Sequence, residues 1–274
     1  MKKKPLSLNA VVVTFGNGEN DRSFIIYGIE IVGMSILSGP GQGKIIPRNF
    51  GNIKHLTGSR LKDSGDSLME KNMQPFFTEA IQFPKRDKLY VTEKVDGANV
   101  GVYKKDGVLY PVMRKGYDVR TSEWVFMRRF ADFVADNVAR FDALLADGDR
   151  VCGEWMIKTH SLFYKMPHEP FVVFDIIRGA VDRPVRLGFA DIMAACKCHG
   201  FTHAGLVWEN GAISVVEALR LLCGGFHGCQ TAPEGVVYRY ERDGTFLMSA
   251  KFVSNLSVGG DYMNVADAYN EWTQ

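Results

Sequence analysis

The sequence has no apolar stretch that approaches the roughly 20 residues needed to span a bilayer. Its start, Met1 to Lys4, resembles the basic start of a signal peptide. However, Pro5 follows, and the apolar run from Ala10 to Val13 is far too short for the hydrophobic segment of such a peptide. We therefore expect a cytoplasmic protein with no membrane partner.

Cysteine and net charge point to no particular class of site. The five cysteines include no Cys-x-x-Cys pair. Cys196, Cys198, His199 and His203 lie close in sequence but lack a second ligand pair, so thiols in a reducing compartment are favoured over zinc. The net charge of +2 is too small to indicate a polyanionic partner, and any nucleic-acid surface must be a local patch.

Size and composition allow a full hydrophobic core. The 274 residues are 46% apolar and 23% charged, enough for one large domain with or without an appendage. Residues 1 to 50 contain two strand-like runs and are predicted to form a small β-rich N-terminal appendage. From Leu89 onward, strands and helices alternate with several strands adjacent in sequence, which predicts an α+β domain of antiparallel sheets with flanking helices over residues 51 to 274.

Helical periodicity marks four further segments. Ser122 is a suitable N-cap for a long helix that continues to Leu145 with core residues at helical spacing. Shorter helices are predicted over residues 67–80, 189–198 and 215–222. His199, His203 and His227 are expected in loops or at the surface.

The most informative segment surrounds Lys94. This lysine follows the strand-like run Leu89 to Thr92 and precedes the turn-forming pair Asp96-Gly97 by two residues. An amine is nucleophilic only when neutral, and burial or nearby cations lower a lysine pKa toward that form. A single Lys-x-Asp-Gly match is also typical of an exposed hairpin turn.

Further motifs follow Lys94 in a fixed order. Each places a charged or aromatic residue in or next to an apolar strand-like run. They are Arg114, the pair Gly153-Glu154, the run Phe171-Val172-Val173-Phe174-Asp175, the run Glu234-Gly235-Val236-Val237, and Lys251.

This ordered series resembles the covalent nucleotidyltransferase superfamily of polynucleotide ligases and RNA capping enzymes, over residues 90 to 252. The resemblance implies an ATP-grasp-like adenylylation domain and an ATP-dependent ligase that joins 3′-hydroxyl and 5′-phosphate ends through a lysine-AMP intermediate. ATP and Mg²⁺ are the implied cofactors, and RNA ends or a nicked duplex the implied partner.

The resemblance implies a role for each residue that contacts the nucleotide. Lys94 would attack the α-phosphate of ATP, while Lys251 and Arg114 would neutralise phosphate charge and help keep Lys94 unprotonated. Glu154 would accept hydrogen bonds from the ribose. Phe174 would stack on adenine, although Phe171 could do so instead.

Other residues complete the expected site. Glu93, Asp96 and Asn99 are expected at the nucleotide pocket, with Asp96 and Asp175 also open to structural roles such as bonding a turn. Glu234 and Asp175 are the candidate ligands of a magnesium ion that keeps most of its waters.

Local residues favour RNA ligases within the superfamily. DNA ligases and capping enzymes usually continue Lys-x-Asp-Gly with x-Arg, whereas Asn99 stands here. The stretches from Gly153 to Tyr164 and from His55 to Ser59 are similar to signatures of RNA ligases. Lys158 and His160, within the first stretch, are candidates for contact with a 5′-phosphate.

Two features keep alternatives open. The last motif is commonly Lys-x-Lys, but here it is Ser249-Ala250-Lys251, so the contacts of the first lysine are supplied elsewhere or lost. The residues after Lys251 are too few for an OB-fold, which a capping guanylyltransferase needs. A partner protein or residues 1 to 50 would replace it. A DNA nick ligase and a non-catalytic nucleic-acid-binding relative remain alternatives.

Overall fold

The computed structural model describes residues 10–15, 22–27, 36–37, 43–61, 64–79, 83–255 and 268–273. The chain divides into two compact units, Met1–Met34 and Ser35–Gln274. The predicted appendage thus extends past the first unit, and its treatment as a separate domain stays a prediction.

In chain order the strands are β1 (Ala10–Phe15), β2 (Arg22–Tyr27), β3 (Ile36–Leu37), β4 (Lys54–His55), β5 (Asp87–Lys94), β6 (Ala98–Lys105), β7 (Val108–Met113), β8 (Arg150–Trp155), β9 (Lys165–Met166), β10 (Phe171–Arg178), β11 (Val185–Arg186), β12 (Thr202–His203), β13 (Leu206–Asn210), β14 (Gly235–Arg242), β15 (Thr245–Val253) and β16 (Glu271–Trp272).

Helices are short and few in the described part of the chain. They are α1 (Pro75–Thr78), α2 (Val125–Asp136), α3 (Val138–Leu144), α4 (Phe189–His199) and α5 (Val215–Leu222), with a 3-10 turn at Val119–Thr121. None of these helices is long and apolar enough to cross a membrane.

The first unit contains an antiparallel strand pair, in which β1 runs against β2 with Ala10 opposite Tyr27 and Phe15 opposite Arg22. These are the two strand-like runs predicted for the N-terminal region.

Two main sheets form the second unit in the described residues. One has the order β11-β10-β8-β6-β7-β3, with β12 paired to β10. The other has the order β13-β5-β14-β15-β4. Neighbouring long strands are antiparallel, and the parallel pairs involve short strands such as β3, β4 and β12. The predicted α+β class with antiparallel sheets is confirmed.

Each sheet has an apolar outer face covered by helices. Helices α2, α3 and α4 cover the larger sheet through side chains such as Phe130, Phe141 and Ile192, all fully buried. Helix α5 and the short α1 cover the smaller sheet, where Phe77 and Ala218 are fully buried. Since strands alternate their side chains between faces, the inner faces are left for the pocket residues.

Two helix predictions need correction. The helix expected from Ser122 to Leu145 is two helices, because Asn137 leaves the helical region and its side-chain amide donates to the carbonyl of Phe133 at 2.8 Å. The helix expected over residues 67–80 is confined to Pro75–Thr78. Ser67 and Met69 instead bond the backbone of His55, which holds that segment extended. The predicted helices over residues 189–198 and 215–222 are confirmed.

Candidate active site

The largest concentration of motif residues lies in a pocket between the inner faces of the two main sheets. Strands of the smaller sheet and of the larger sheet both contribute, together with the segment from Phe50 to Ile53. The predicted residues that line the pocket are Glu93, Lys94, Asn99, Arg114, Glu154, Phe174 and Lys251.

Strand alternation explains why these residues meet. On β5, Leu89 and Val91 pack into the core under α5, so Lys94 faces the opposite way. On β8, Val151 and Trp155 face the helices, which turns Glu154 inward. These motif residues therefore reach one pocket from separate strands.

Lys94 is ion-paired with Glu234, which immediately precedes β14. Its Nζ donates to Oε2 of Glu234. The backbone register brings the two together, because Gly235 on β14 lies opposite Lys94 on β5. The Glu234 side chain is only 3% exposed and that of Lys94 22%, so the pair is shielded from water on the carboxylate side.

The pKa of Lys94 differs from the sequence-based expectation. Burial by itself lowers the pKa, but attraction to Glu234 and Glu154 outweighs burial and raises the pKa of Lys94 above its ordinary value. The expectation that neighbouring cations help keep Lys94 unprotonated is therefore wrong in this structure, where the nearby carboxylates have the larger effect. The pair instead holds Lys94 as an ammonium ion.

Glu154 lies on the opposite wall of the pocket from Lys94. Burial raises the pKa of this carboxyl group to about 7, with Lys94 acting against the rise and Glu234 adding to it. Burial deprives the ionised carboxylate of solvating water. The group is therefore suited to accept hydrogen bonds from a bound polar ligand.

The Lys251 side chain is held by Asp66, which His55 contacts in turn, and neither of these two was predicted as a site residue. Oδ1 of Asp66 accepts from Lys251 Nζ at 3.1 Å and lies 3.0 Å from His55 Nε2. On the other side of its ring, His55 Nδ1 lies 2.6 Å from the hydroxyl of Ser59. The similarity of the stretch from His55 to Ser59 to an RNA ligase signature could have indicated His55, because β4, which contains His55, pairs with β15 at Lys251.

Arg114 and Asn99 lie at the rim of the same pocket. The Arg114 guanidinium donates to Asn52 Oδ1 at 2.6 Å. The side-chain oxygen of Asn99 is buried and accepts no hydrogen bond from the described residues. A buried acceptor without a donor is costly, so this atom is suited to a ligand that donates.

Asp96 anchors the loop after β8 to the turn after Lys94. Its Oδ2 accepts from the backbone amides of Ser161 and Leu162 at 2.7 and 2.9 Å and from the Ser161 hydroxyl at 2.8 Å. The backbone amide of Asp96 donates to the Tyr164 hydroxyl at 3.2 Å. Gly97 follows, where an added Cβ would lie 2.8 Å from the carbonyl oxygen of Trp155. These contacts give Asp96 a positioning role for the Lys94 turn.

Of the two phenylalanines predicted to stack on adenine, Phe174 lines the pocket and Phe171 does not. Phe171 is fully buried against Phe130 on the helix-covered face of the sheet. The register of β10 against β8 shifts between Val173 and Asp175, and Phe174 between them lines the pocket. Its ring lies edge-on to that of Phe50, with 4.8 Å between the two ring centres. Of the two rings proposed for stacking on a base, only Phe174 has access to the pocket.

The Glu93 carboxylate turns away from Lys94. Its Oε2 accepts from the amide of Phe226 at 2.5 Å, and burial raises its pKa to about 7. Gly225 has φ of +78°, and an added Cβ there would lie 2.7 Å from Oε1 of Glu93. Glu93 therefore fixes the loop behind the pocket with its carboxylate and is also a lining residue of the pocket.

His227 lies in the same loop, which agrees with the first of the two predicted placements, loop or surface, and its side chain is buried. It is 2% exposed, and its Nε2 accepts from the amide of Gly205 at 3.1 Å. Its Nδ1 lies 2.8 Å from Nε2 of His168, whose Nδ1 lies 2.7 Å from the carbonyl of Glu169. This chain of bonds fits two neutral rings, and burial lowers the pKa of His227 to about 3.

Asp175 lies behind the pocket wall as the centre of an arginine cluster. It is fully buried, and its two oxygens accept from Arg186 Nε at 2.5 Å and Arg239 Nη1 at 3.3 Å. This geometry suits an ion-pair hub better than a metal ligand. Among the described residues no group of three or more His, Cys, Asp or Glu side chains could hold a metal ion.

Lys158 and His160 are not displayed at the surface as a pair. Lys158 is 3% exposed, with its ammonium 5.3 Å from the centre of the Tyr269 ring. His160 Nδ1 bonds the carbonyl of Lys158, and its ring packs edge-on against Phe126. This placement favours packing over contact with a phosphate for Lys158.

Most of these pocket residues lie within a region of the chain that matches a known protein family. The RNA ligase family model matches residues 87–253, which run from the start of β5 to the end of β15. No curated protein sequence matches the chain.

Two solved structures have a similar fold. An archaeal ATP-dependent RNA ligase, in its form 2, is 21% identical with a TM-score of 0.50, over 77% of this chain and 49% of that one. The Naegleria gruberi RNA ligase with PPi is 17% identical with a TM-score of 0.50, over 84% of this chain and 63% of that one. The chain thus spans about half the length of the archaeal enzyme. Since the family match covers more than half of the present sequence and contains all the principal pocket residues, the chain belongs to the RNA ligase family.

Proposed function

We propose that the chain is the catalytic part of an ATP-dependent RNA ligase. In the first step, Lys94 Nζ attacks the α-phosphorus of ATP, and a phosphoramidate bond forms as pyrophosphate leaves. In the second, the AMP group passes from Lys94 to a 5′-phosphate end of RNA. In the third, a 3′-hydroxyl attacks that end, forming the phosphodiester bond and releasing AMP.

The position of Lys94 is the observation that carries this proposal. Its amine lies in a pocket between two sheets, and Glu154, Arg114 and Lys251 line the same pocket. A nucleophilic amine, a carboxylate for a sugar and two cations for phosphates are the groups that nucleotidyl transfer requires. Phe174 adds an aromatic surface for a base, which contributes about 1–3 kcal/mol when it stacks.

Protonation of Lys94 is the barrier that the site must remove. The pair with Glu234 holds the proton on Lys94 Nζ. When this contact is loosened, burial and repulsion from Lys251 act on Lys94 without their main opponent, and both favour the neutral amine. Glu234 therefore controls when Lys94 becomes a nucleophile.

We also propose Mg²⁺ as the divalent ion, held through Glu234. With no larger cluster of metal ligands among the described residues, the ion would keep most of its waters, as Mg²⁺ ordinarily does. Bound there, it would supply neutralisation of phosphate charge. RNA ends are the proposed partner. The described cysteines are free thiols, which supports a cytoplasmic location.

Labelling with radioactive nucleotide tests the first step directly. The protein is incubated with Mg²⁺ and ATP labelled at the α-phosphate, or with GTP or NAD labelled at the corresponding position, and then separated by denaturing electrophoresis. We expect a covalent label from ATP alone. A label from GTP would indicate a capping-type guanylyltransferase instead, and the absence of any label would contradict the proposal.

A further inference from the structure

A second cavity adjoins the nucleotide pocket on the far side of Phe50. The two cavities share Phe50, Arg186 and Ser249 as lining residues. Arg48 and Arg150 line the second cavity alone. Ser249 stands where the resembled motif has its first lysine, so the cavity lies beside the position from which a positive charge is missing.

The second cavity is lined by positive and neutral groups. Arg48, Arg150 and Arg186 contribute three guanidinium groups, and no Asp or Glu of the described residues lines it. Asp175, which is not a lining residue of this cavity, forms an ion pair with Arg186 and offsets one of the three positive charges. The charges of Arg48 and Arg150 have no carboxylate partner among the described residues.

Arg150 makes the strongest case for a ligand. It is 7% exposed, and its Nε donates to the carbonyl of Asn49 at 3.2 Å. Its Nη1 is buried without a hydrogen-bond partner among the described residues, and the same holds for the side-chain nitrogen of Asn49. A buried guanidinium without an anion is costly, and evolution retains buried charges mainly where they are paired or bind something.

Arg48 supplies the open side of the cavity. It is exposed and makes no hydrogen bond or ion pair with the described residues. Guanidinium groups bind phosphate oxygens through paired hydrogen bonds, and their planar donors suit this better than lysine. One buried and one exposed arginine on one cavity can contact a phosphate group from two sides.

We propose that Arg48, Asn49 and Arg150 form a binding site for a phosphate group, separate from the pocket of Lys94. The group comes from either of two sources, an inorganic phosphate or pyrophosphate ion, or a phosphate of an RNA strand. With an RNA strand the inference rests on the proposed ligase function, whereas with a free anion it stands alone.

Calorimetric titration of the whole chain tests the site. The nucleotide pocket is first saturated with α,β-methylene-ATP, which cannot transfer AMP. Pyrophosphate, phosphate, and an RNA trinucleotide with or without a 5′-phosphate are then titrated at one salt concentration. We expect at least one phosphate-bearing probe to bind with the analogue present, and Arg48→Ala and Arg150→Met each to weaken it at least tenfold.

The set of probes that bind identifies the source of the phosphate group. Binding of the 5′-phosphorylated RNA alone indicates an RNA end, and binding of pyrophosphate or phosphate indicates a free anion. Arg220→Ala, on the exposed face of α5, is the matched control and should bind as the unmodified chain does.

Three results would overturn the inference. They are no binding of any probe, binding that both arginine variants leave unchanged, and binding that the nucleotide analogue abolishes, which would place the anion in the pocket of Lys94. Thermal unfolding adds a separate criterion, since Arg150→Met without anion should be no less stable than the unmodified chain. A loss as large as that of a buried Leu→Ala change would make Arg150 structural. If the analogue itself fails to bind, the ligase proposal fails while titration without it still tests the anion site.

Discussion

The ammonium of Lys94 and the carboxylate of Glu234 form an ion pair across two neighbouring strands, although 140 positions separate the residues in sequence. This pair opposes the nucleophilic form of the lysine, since it raises the pKa of Lys94 despite burial. The structure therefore favours the protonated form of Lys94, and the proposed attack on ATP requires this pair to open first.

Substitution of Lys94 should abolish covalent labelling by ATP. Lys94→Ala removes the amine, and Lys94→Arg retains a positive charge but stays protonated and cannot attack phosphorus. Both variants should show no labelled band on denaturing gels while circular dichroism shows a folded chain. A label that persists in both would disprove Lys94 as the nucleophile.

Loss of the proposed metal ligand Glu234 or of the phosphate-binding Lys251 should slow adenylylation without unfolding the protein, and for Glu234 the loss of the metal should outweigh the gain in neutral Lys94. Glu234→Ala and Lys251→Ala should each lower the rate of label formation by about 100-fold or more, because groups that stabilise developing charge in closed sites contribute about this much. The melting temperatures of the two variants test the alternative, which is that Glu234 and Lys251 stabilise the fold. A drop comparable to that of a core Leu→Ala change would show that these side chains mainly stabilise the fold.

Asp66 should matter for adenylylation although it does not line the nucleotide pocket. Asp66→Asn weakens the hold on Lys251 and His55, and we expect adenylylation to slow by about tenfold, since a misplaced charge stabilises the transition state less. The loss should fall on the rate at saturating ATP more than on apparent ATP affinity. Lys54→Ala is the control and should retain the full rate, because Lys54 lies next to His55 on β4, is half-exposed and pairs with the exposed Glu70.

Stability should fall with acid through the buried histidine pair. In the folded chain the pKa of His227 is lowered to about 3, whereas in the unfolded chain it has its ordinary value of 6.5. Between these values the unfolded state binds a proton that the folded state does not. His227 should therefore lower the free energy of unfolding by about 1.4 kcal/mol per pH unit as the pH falls below 6.5, whereas the raised pKa values of Glu93 and Glu154 act with the opposite sign over the same range.

Urea denaturation at pH 7 and pH 5 measures this dependence. His227→Gln can still accept from the amide of Gly205, and its stability at pH 5 relative to pH 7 should be higher than that of the unmodified chain, because the destabilising contribution of His227 in acid is removed. His199→Gln, at the end of α4, should show the same pH dependence as the unmodified chain. Equal pH dependence in His227→Gln and the unmodified chain would contradict a buried neutral His227.

Ribose at the 3′-hydroxyl end should speed joining. A protein can distinguish RNA from DNA through the 2′-hydroxyl at the reacting end, and the buried unpaired oxygen of Asn99 is suited to accept from such a donor. We expect nicks with ribose on the 3′-hydroxyl side to be sealed faster than all-DNA nicks at the same salt concentration. Equal rates would favour a DNA nick ligase.

Parts of the fold were predictable because local chemistry dictates them. Helices α4 and α5 have clear helical periodicity, and Gly200 and Ser214 end and begin them. The segment from Ser67 to Met69 was mistaken for helix because its pairing with His55 is a long-range interaction. The break at Asn137 was missed because apolar spacing continues across it.

The sequence by itself determined the order of the motifs, the alternation that turns Lys94, Glu154 and Lys251 to one face of their strands, and the family that this order indicates. Only the tertiary structure decided which charges meet. The pairing of Lys94 with Glu234, the capture of Lys251 by Asp66, and the burial of Asp175 between two arginines all depend on strand register and sheet packing. Because charge interactions depend on distance and burial, which linear spacing does not specify, the protonation state of Lys94 could be derived only from the folded chain.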